Sequence, residues 1–347
     1  MPPCIVGLTA EPLHTPLHNP FVTSQGAAVA AKAVAIRLTL DDGRTATGES
    51  VPVHYVTGET LETVLETIQQ ATPELVGQEV TRYRPLLDTI ARIAPNAPSA
   101  RCGLEMAILD AWAQTTGNTL QGLWGGALAS METDVTIPIV PNAGELTELA
   151  WALGIRVFKI KVGDTDLEAD HARVRAVREA APDARLRIDA NQAFTPESAL
   201  SFVNRLLEEG AHLELLEQPV RKEDFEGLNY IAERSPVPVF ADESCRTPAD
   251  ALRLATTTAV QGFNLKINKN GIAGVLDCIA IARTSGRKLM LGCMLETRRS
   301  IAVSLALACG TGAFDFLDLD SHLLLNETGE NLHFHQEGPR LSLPKVN

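Results

Sequence analysis

The rhythm of apolar and polar positions changes once along the chain. Residues 31–40 (AKAVAIRLTL) alternate with a period of two, the pattern of a strand with one solvated face, and the turn formers Asp41, Asp42 and Gly43 follow. In residues 61–70 (LETVLETIQQ) the apolar positions recur at helical spacing. Residues 99–114 (SARCGLEMAILDAWAQ) read as a helix opened by a serine and closed near Gly117. Up to about residue 125 the pattern therefore predicts an α+β segment.

From about Thr133 strand-like and helix-like stretches alternate regularly. Short β-rich runs begin at Val135, Val157, Leu186, Leu213, Val237, Phe263, Lys288 and Phe316, about 25 residues apart, and amphipathic stretches such as 166–180 and 196–210 fill the gaps. Eight strands suffice to close a barrel, and no GxGxxG follows the first of them. A (β/α) barrel thus accounts for the pattern better than an open doubly wound sheet. The length of 347 residues suits two domains sharing an interface.

A barrel brings the C-terminal ends of its strands to one mouth. Those ends carry Lys159 and Lys161, Asp189 and Asn191, Glu217, Asp242 and Glu243, Lys266, Glu296 shortly after the seventh strand, and Asp318 and Asp320. Asp189, Glu217 and Asp242 stand on consecutive strands, so their carboxylates are expected to meet, and their repulsion calls for a cation between them. Oxygen ligands without His or Cys favour a hard ion, Mg²⁺, or Mn²⁺ in its place. The competing explanation is a set of strand-end ion pairs with Lys159, Lys161 and Lys266.

Lys159 and Lys161 are two apart and share one face of their strand. Two neighbouring ammonium groups beside a dication are expected to be pushed down in pKa, towards the range of a general base. Lys266 belongs to the sixth strand, almost across the barrel. Two opposed bases flanking a metal-held carboxylate suit removal of an α-proton from one face and its return to the other, which inverts the carbon; one base would support elimination or isomerisation.

A net charge of −13 with no run of Lys or Arg argues against a nucleic-acid partner. Hydrophobic residues at 45% and charged residues at 21% describe a soluble chain with a well-filled interior. The cysteines (Cys4, Cys102, Cys245, Cys278, Cys293, Cys309) are scattered without a CxxC pair. The start, MPPCIVGLTA, lacks the features of a secretory signal, and no apolar stretch is long enough for a membrane span. A cytoplasmic location without membrane attachment is the resulting expectation.

The stretches FKIKVG (Lys159, Lys161), RIDANQAF (Asp189, Asn191), LLEQPV (Glu217), FADES (Asp242, Glu243), LKINK (Lys266) and GCMLET (from Cys293) resemble, in order and spacing, the enolase superfamily and its muconate-lactonizing, Lys-x-Lys subgroup. GLEMAILDAWA from Gly103 resembles the capping-domain helix of that superfamily. The resemblance implies a (β/α)7β TIM-like barrel over residues 128–320 and an α+β capping domain formed by residues 1–127 with the tail 321–347. It implies Mg²⁺ on Asp189, Glu217 and Asp242, Lys161 and Lys266 as the acid/base pair with Lys159 in support, and Asn191 and Glu243 behind the ligands. Thr136, Cys293, Met294 and Glu296 are the further expected substrate contacts.

The subgroup holds muconate cycloisomerases, o-succinylbenzoate synthases, N-acylamino-acid racemases and dipeptide epimerases. Asp318-Leu319-Asp320 resembles the Asp-x-Asp motif with which dipeptide epimerases hold a substrate's α-ammonium. A free ammonium needs acceptors and countercharge, whereas an anionic muconate or succinyl group would be repelled. The expected reaction is a 1,1-proton transfer, through an enediolate, at the C-terminal residue of an L,L-dipeptide, in a homo-oligomer. The alternatives are a one-base member of the subgroup, an N-acylamino-acid racemase, or a barrel that binds metal and ligand without reacting. Residues 14–26 contain no Lys or Arg to meet a substrate glutamate, and Glu49 and Glu296 add acid near the mouth, so a neutral or cationic side chain is expected. His14 and His18 receive no catalytic role.

Overall fold

Two long strands, β1 (Ile5–Thr23) and β2 (Gly26–Leu40), form an antiparallel ribbon closed by the turn at Ser24 and Gln25, and β3 (Thr45–Ser50) pairs with the other edge of β2. Pro12, Pro16 and Pro20 lie in β1, an edge strand, where a missing N–H is tolerated. This computed structural model describes residues 2–164, 166–327 and 333–344.

The apolar face of the ribbon (Val34, Ile36, Leu38) packs on the helices Leu61–Leu75 and Pro98–Thr116 through Val64, Ile68, Leu104 and Ile108. Gly48 and Gly103 let β3 and the second of these helices meet backbone to backbone. A Cβ on Gly48 would lie 2.0 Å from the Gly103 oxygen, and one on Gly103 would lie 2.2 Å from Ser50 Oγ.

After β4 (Ser130–Glu132) the chain enters eight parallel strands: β5 (Val135–Ile137), β6 (Val157–Lys161), β7 (Arg185–Asp189), β8 (Leu213–Glu217), β9 (Val239–Ala241), β10 (Gly262–Leu265), β11 (Lys288–Gly292) and β12 (Phe316–Asp318). They pair in sequence order, and a bridge between Thr133 and Leu317 joins the last to the first. Helices fill each gap from β5 to β12, and β12 is followed by only a turn of 3₁₀ helix, so the architecture is the expected (β/α)7β barrel with an α+β cap.

Alternation along the strands decides which residues face the helices and which fill the barrel. Phe158, Ile160, Leu186, Ile188, Leu216, Leu265, Leu291 and Leu317 belong to the core shared with the helices. Leu215, Phe240 and Met290, with Phe316 against them, form a separate cluster inside the barrel. The charged residues sit above it.

The tail divides rather than joining the cap as a whole. Leu325 bridges Leu17 of β1, and His18 donates its amide to the Leu324 carbonyl at 2.9 Å, so its first residues extend the cap. β13 (His335–Glu337) and β14 (Arg340–Ser342) instead pair with β4 at the N-terminal foot of the barrel, where Gly338 abuts Gly154. Residues 328–332 and 345–347 of the expected cap segment lie outside the described residues.

Candidate active site

Register places the strand-end groups side by side: Lys161 pairs with Asp189, and Asp189 with Glu217. The two loops that follow are strained, with positive φ at Asn191 (39°), Gln192 (73°) and Gln218 (35°). Each side chain there is tied down. Gln218 accepts the Asp242 and Ser244 amides at 2.9 and 3.1 Å and donates to Val220 O and Ser244 Oγ, which joins the end of β8 to the segment after β9. Asn191 and Gln192 both donate to Glu243 Oε1.

Lysines stand between the acids. Lys159 Nζ lies 2.7 Å from Asp318 Oδ2, 2.9 Å from Glu217 Oε2 and 3.0 Å from Asp189 Oδ2. Lys161 Nζ is 2.5 Å from Asp189 Oδ2, and Lys266 Nζ is 2.8 Å from Asp242 Oδ2. Lys269 makes a fourth, fully buried, with Nζ 2.5 Å from Asp242 Oδ1 and 2.7 Å from the carbonyls of Asp242 and Asn264. The expected convergence is thus mediated by ammonium groups, with Asp189 and Glu217 meeting on Lys159 while Asp242 turns to Lys266 and Lys269.

Burial and charge pull in opposite directions here. Burial opposes the charged form of Lys159, but Asp318, Glu217 and Asp189 outweigh it and hold its pKa well above the ordinary lysine value. For Lys266 burial is likewise outweighed, mainly by Asp242, and its pKa rises. Around Lys159 the three carboxylates, not the neighbouring ammonium, set the direction. Against burial, Lys161 and Lys159 lower Asp189, and Lys266 and Lys269 lower Asp242. Glu217 is pushed up to about 8 by burial and by Asp189.

The donor set is compatible with a hard cation. Asp189, Glu217 and Asp242 are buried, oxygen-only and on adjacent strands. Asn191 Oδ1, Glu243 Oε2 and Asn264 Oδ1 are buried acceptors without donors, and Glu217 Oε2 has none aligned for a hydrogen bond although Lys159 Nζ is close. Such orphaned acceptors are the groups a cation would satisfy. Among the described residues no group of three or more His, Cys, Asp or Glu side chains is clustered as a metal site, and lysine ammonium groups lie against Asp189, Glu217 and Asp242.

A cavity of about 460 Å³ opens above these groups, between the barrel and the cap. Lys161 and Lys266 line it, as do Lys159, Thr136, Asn191, Asp242, Glu243, Cys293, Met294, Asp318 and Asp320. Asp189 and Glu217 lie behind the lysines and have no exposed surface. Thr136 donates its amide to Asp320 Oδ2 at 2.6 Å, and burial and Asp318 push the Asp320 carboxyl up to about 6.

Two predicted acids are elsewhere. Glu296 is fully buried beneath the wall, where Oε1 accepts the Met294 amide at 3.0 Å and Oε2 accepts Ser300 Oγ at 2.5 Å. Glu49 accepts the Thr297 amide at 2.9 Å and the Thr297 hydroxyl, at the N-terminus of the helix Arg298–Thr311, and burial pushes it up to about 7. Neither lines the cavity.

The cap contributes residues that sequence reading missed. The hairpin turn reaches the barrel, with Ser24 Oγ donating to the Asn191 carbonyl at 2.9 Å and Gln25 Nε2 at 2.7 Å. Lys222 Nζ donates to the Tyr55 carbonyl at 2.8 Å and fastens a second cap segment. Phe21, Val29, Val51, Val53, Tyr55 and Val56 make the cap wall apolar, and Lys32 of β2 lies on the same wall, close enough to Glu62 for the two charges to interact. Lys269 was detectable as the second lysine of LKINK, one helical turn after Lys266. No local signal marks Tyr55 or Lys32.

Residues 143–344 match the family described as enolase C-terminal domain-like, and residues 6–125 match the mandelate racemase / muconate lactonizing enzyme N-terminal domain. An aromatic dipeptide epimerase of Herpetosiphon aurantiacus is 36% identical over 348 residues, covering 100% of this chain and 98% of the relative. An L-Ala-D/L-Glu epimerase of Thermotoga maritima is 37% identical, covering 93% of this chain and 94% of that one. The crystal structure of a dipeptide epimerase from Enterococcus faecalis, complexed with Mg and the dipeptide L-Leu-L-Tyr, superposes with a TM-score of 0.93 at 31% identity, covering 100% of this chain and 98% of that one.

Proposed function

The chain belongs to the dipeptide epimerases of the enolase superfamily, and from that premise we propose that it inverts the α-carbon of the C-terminal residue of an L,L-dipeptide by proton transfer between Lys161 and Lys266. The observation that carries this reading is the pair itself. The two lysines come from β6 and β10, four strands apart in the barrel, line one cavity, and are each anchored by a different carboxylate.

One lysine, in its neutral form, takes the α-proton onto Nζ, and the ammonium of the other delivers a proton to the opposite face. The two lysines thereby exchange protonation states, and solvent resets them. Asp189, Glu217 and Asp242 would hold Mg²⁺, which offsets the negative charge that develops on the substrate carboxylate as the α-proton leaves. Lys159 keeps Asp189, Glu217 and Asp318 from repelling one another. Asp318 and Asp320 receive the dipeptide's ammonium, which favours a free N-terminus over an N-acyl group.

The side chain of the inverted residue meets the apolar cap wall. With Glu49 and Glu296 turned away from the cavity and Lys32 on its rim, a cationic side chain loses its support and a neutral, apolar one is favoured. Incubation in D₂O with L-Ala-L-Phe, L-Ala-L-Glu and L-Ala-L-Lys tests this by deuterium uptake and chiral analysis. L-Ala-L-Phe is expected to exchange and invert fastest. Lys266→Ala should lose inversion by about 10²–10⁴-fold while Lys161 still exchanges the α-proton of one epimer. Absence of exchange across a broad dipeptide library would refute the proposal.

A further inference from the structure

The weakest joint of the barrel lies under the two aspartates assigned to the ammonium. Between β12 and the β5 side, the single bridge Thr133–Leu317 replaces the ladders found at the other strand pairs among the described residues. Side chains close the rest: Leu319 N donates to Thr133 Oγ1 at 2.8 Å, and the Thr136 amide donates to Asp320 itself at 2.6 Å. β12 is only three residues long, and Asp318 is its last.

Arg187 reaches this seam from inside the barrel. It projects from β7, two strands beyond β5, and its Nη1 donates both to the Leu317 carbonyl at 2.8 Å and to Asp134 Oδ2 at 2.7 Å, one partner on each side of the seam. Its Nε donates to Glu214 Oε2 at 2.8 Å, and the guanidinium carbon lies 4.8 Å from the centre of the Phe316 ring. The two residues before Asp318 are thus both held by one side chain that is 5% exposed and does not line the cavity. A planar fork with several donors can make these contacts together; an ammonium on a flexible stem cannot.

We infer that Arg187 is a positioning residue for substrate recognition, strapping the β12–β5 seam so that Asp318 and Asp320 stand where a dipeptide's ammonium can meet both. The inference rests on the ammonium role proposed above for these aspartates. Small displacements of a charged acceptor pair weaken binding without removing the groups that move the proton.

Steady-state kinetics on L-Ala-L-Phe, with inhibition by an unreactive dipeptide analogue in its free-amine and N-acetyl forms, provide the test. In Arg187→Lys, KM should rise about tenfold, the order of one charge-assisted hydrogen bond, with kcat within about threefold of the parent, and the preference for free amine over N-acetyl should fall about tenfold. The variant Arg187→Met with Asp134→Asn, which removes both members of the buried pair, should behave alike. A preference left intact in folded variants would overturn the inference, as would loss of folding in both, which would make Arg187 a residue of general stability. Asp318→Asn separates the two levels. If it abolishes the preference while Arg187→Lys does not, the inference alone falls; if it leaves the preference intact, the ammonium reading falls and takes the inference with it.

Discussion

Replacing Lys269 by methionine keeps the length and much of the volume of the side chain and removes only its charge and donors, so no large cavity complicates the result. Three acceptors lose a donor, Asp242 Oδ1 at 2.5 Å and the carbonyls of Asp242 and Asn264 at 2.7 Å each, of which the Asp242 carbonyl keeps the Cys245 amide at 2.9 Å. All are buried. Removing one partner of a buried pair costs about 3–5 kcal/mol, and the stranded Asn264 carbonyl about 1–3 kcal/mol. Lys266, at 2.8 Å from Asp242 Oδ2, still offsets the carboxylate, which brings the expected loss to about 4 kcal/mol. That is a large share of the roughly 5–15 kcal/mol by which domains are stable, so the variant should fold but unfold early. Urea unfolding followed by circular dichroism would measure it. A loss below about 1 kcal/mol would refute the reasoning, since it would mean that water or a shifted loop satisfies both Asp242 Oδ1 and the Asn264 carbonyl.

Gly103→Ala should destabilise by about 3 kcal/mol in the same assay, because its Cβ would lie 2.2 Å from Ser50 Oγ and 2.7 Å from Ile36 Cδ1 in the joint between helix and β3. The pH dependence of stability should carry the mark of Glu49. Burial raises its folded pKa from 4.5 to about 7, so between these values the folded state holds the proton more tightly than the unfolded chain, and stability falls as pH rises through this window. In Glu49→Gln that fall should shrink, by at most about 3 kcal/mol; an unchanged slope in urea midpoints from pH 4.5 to 8 would contradict it.

The barrel was legible because one alternation reports two environments. In VFKIK Phe158 and Ile160 face the helices and the two lysines face the barrel, so the same run reveals both the strand and what it carries to the mouth. Once the ladder ends, that logic ends with it. Glu296 lies four residues past Gly292, in the turn leading to the helix Arg298–Thr311, and its carboxylate goes to Ser300 and the Met294 amide rather than to the cavity. Glu49, inside a strand, was misplaced for another reason: its strand belongs to the cap, and the docking of cap on barrel at Thr297 leaves no trace in local periodicity. The same holds for Lys32, which a search of residues 14–26 for a basic side chain could not find, and for β14, whose partner β4 lies more than two hundred residues away. Arg187 was hidden in plain view. Inside LRID it looks like a strand residue of the wrong polarity, and only the seam between Asp134 and Leu317 gives a charge inside the barrel a purpose. A charged residue that breaks a strand's apolar pattern below the mouth therefore points to the joint the strands themselves leave open.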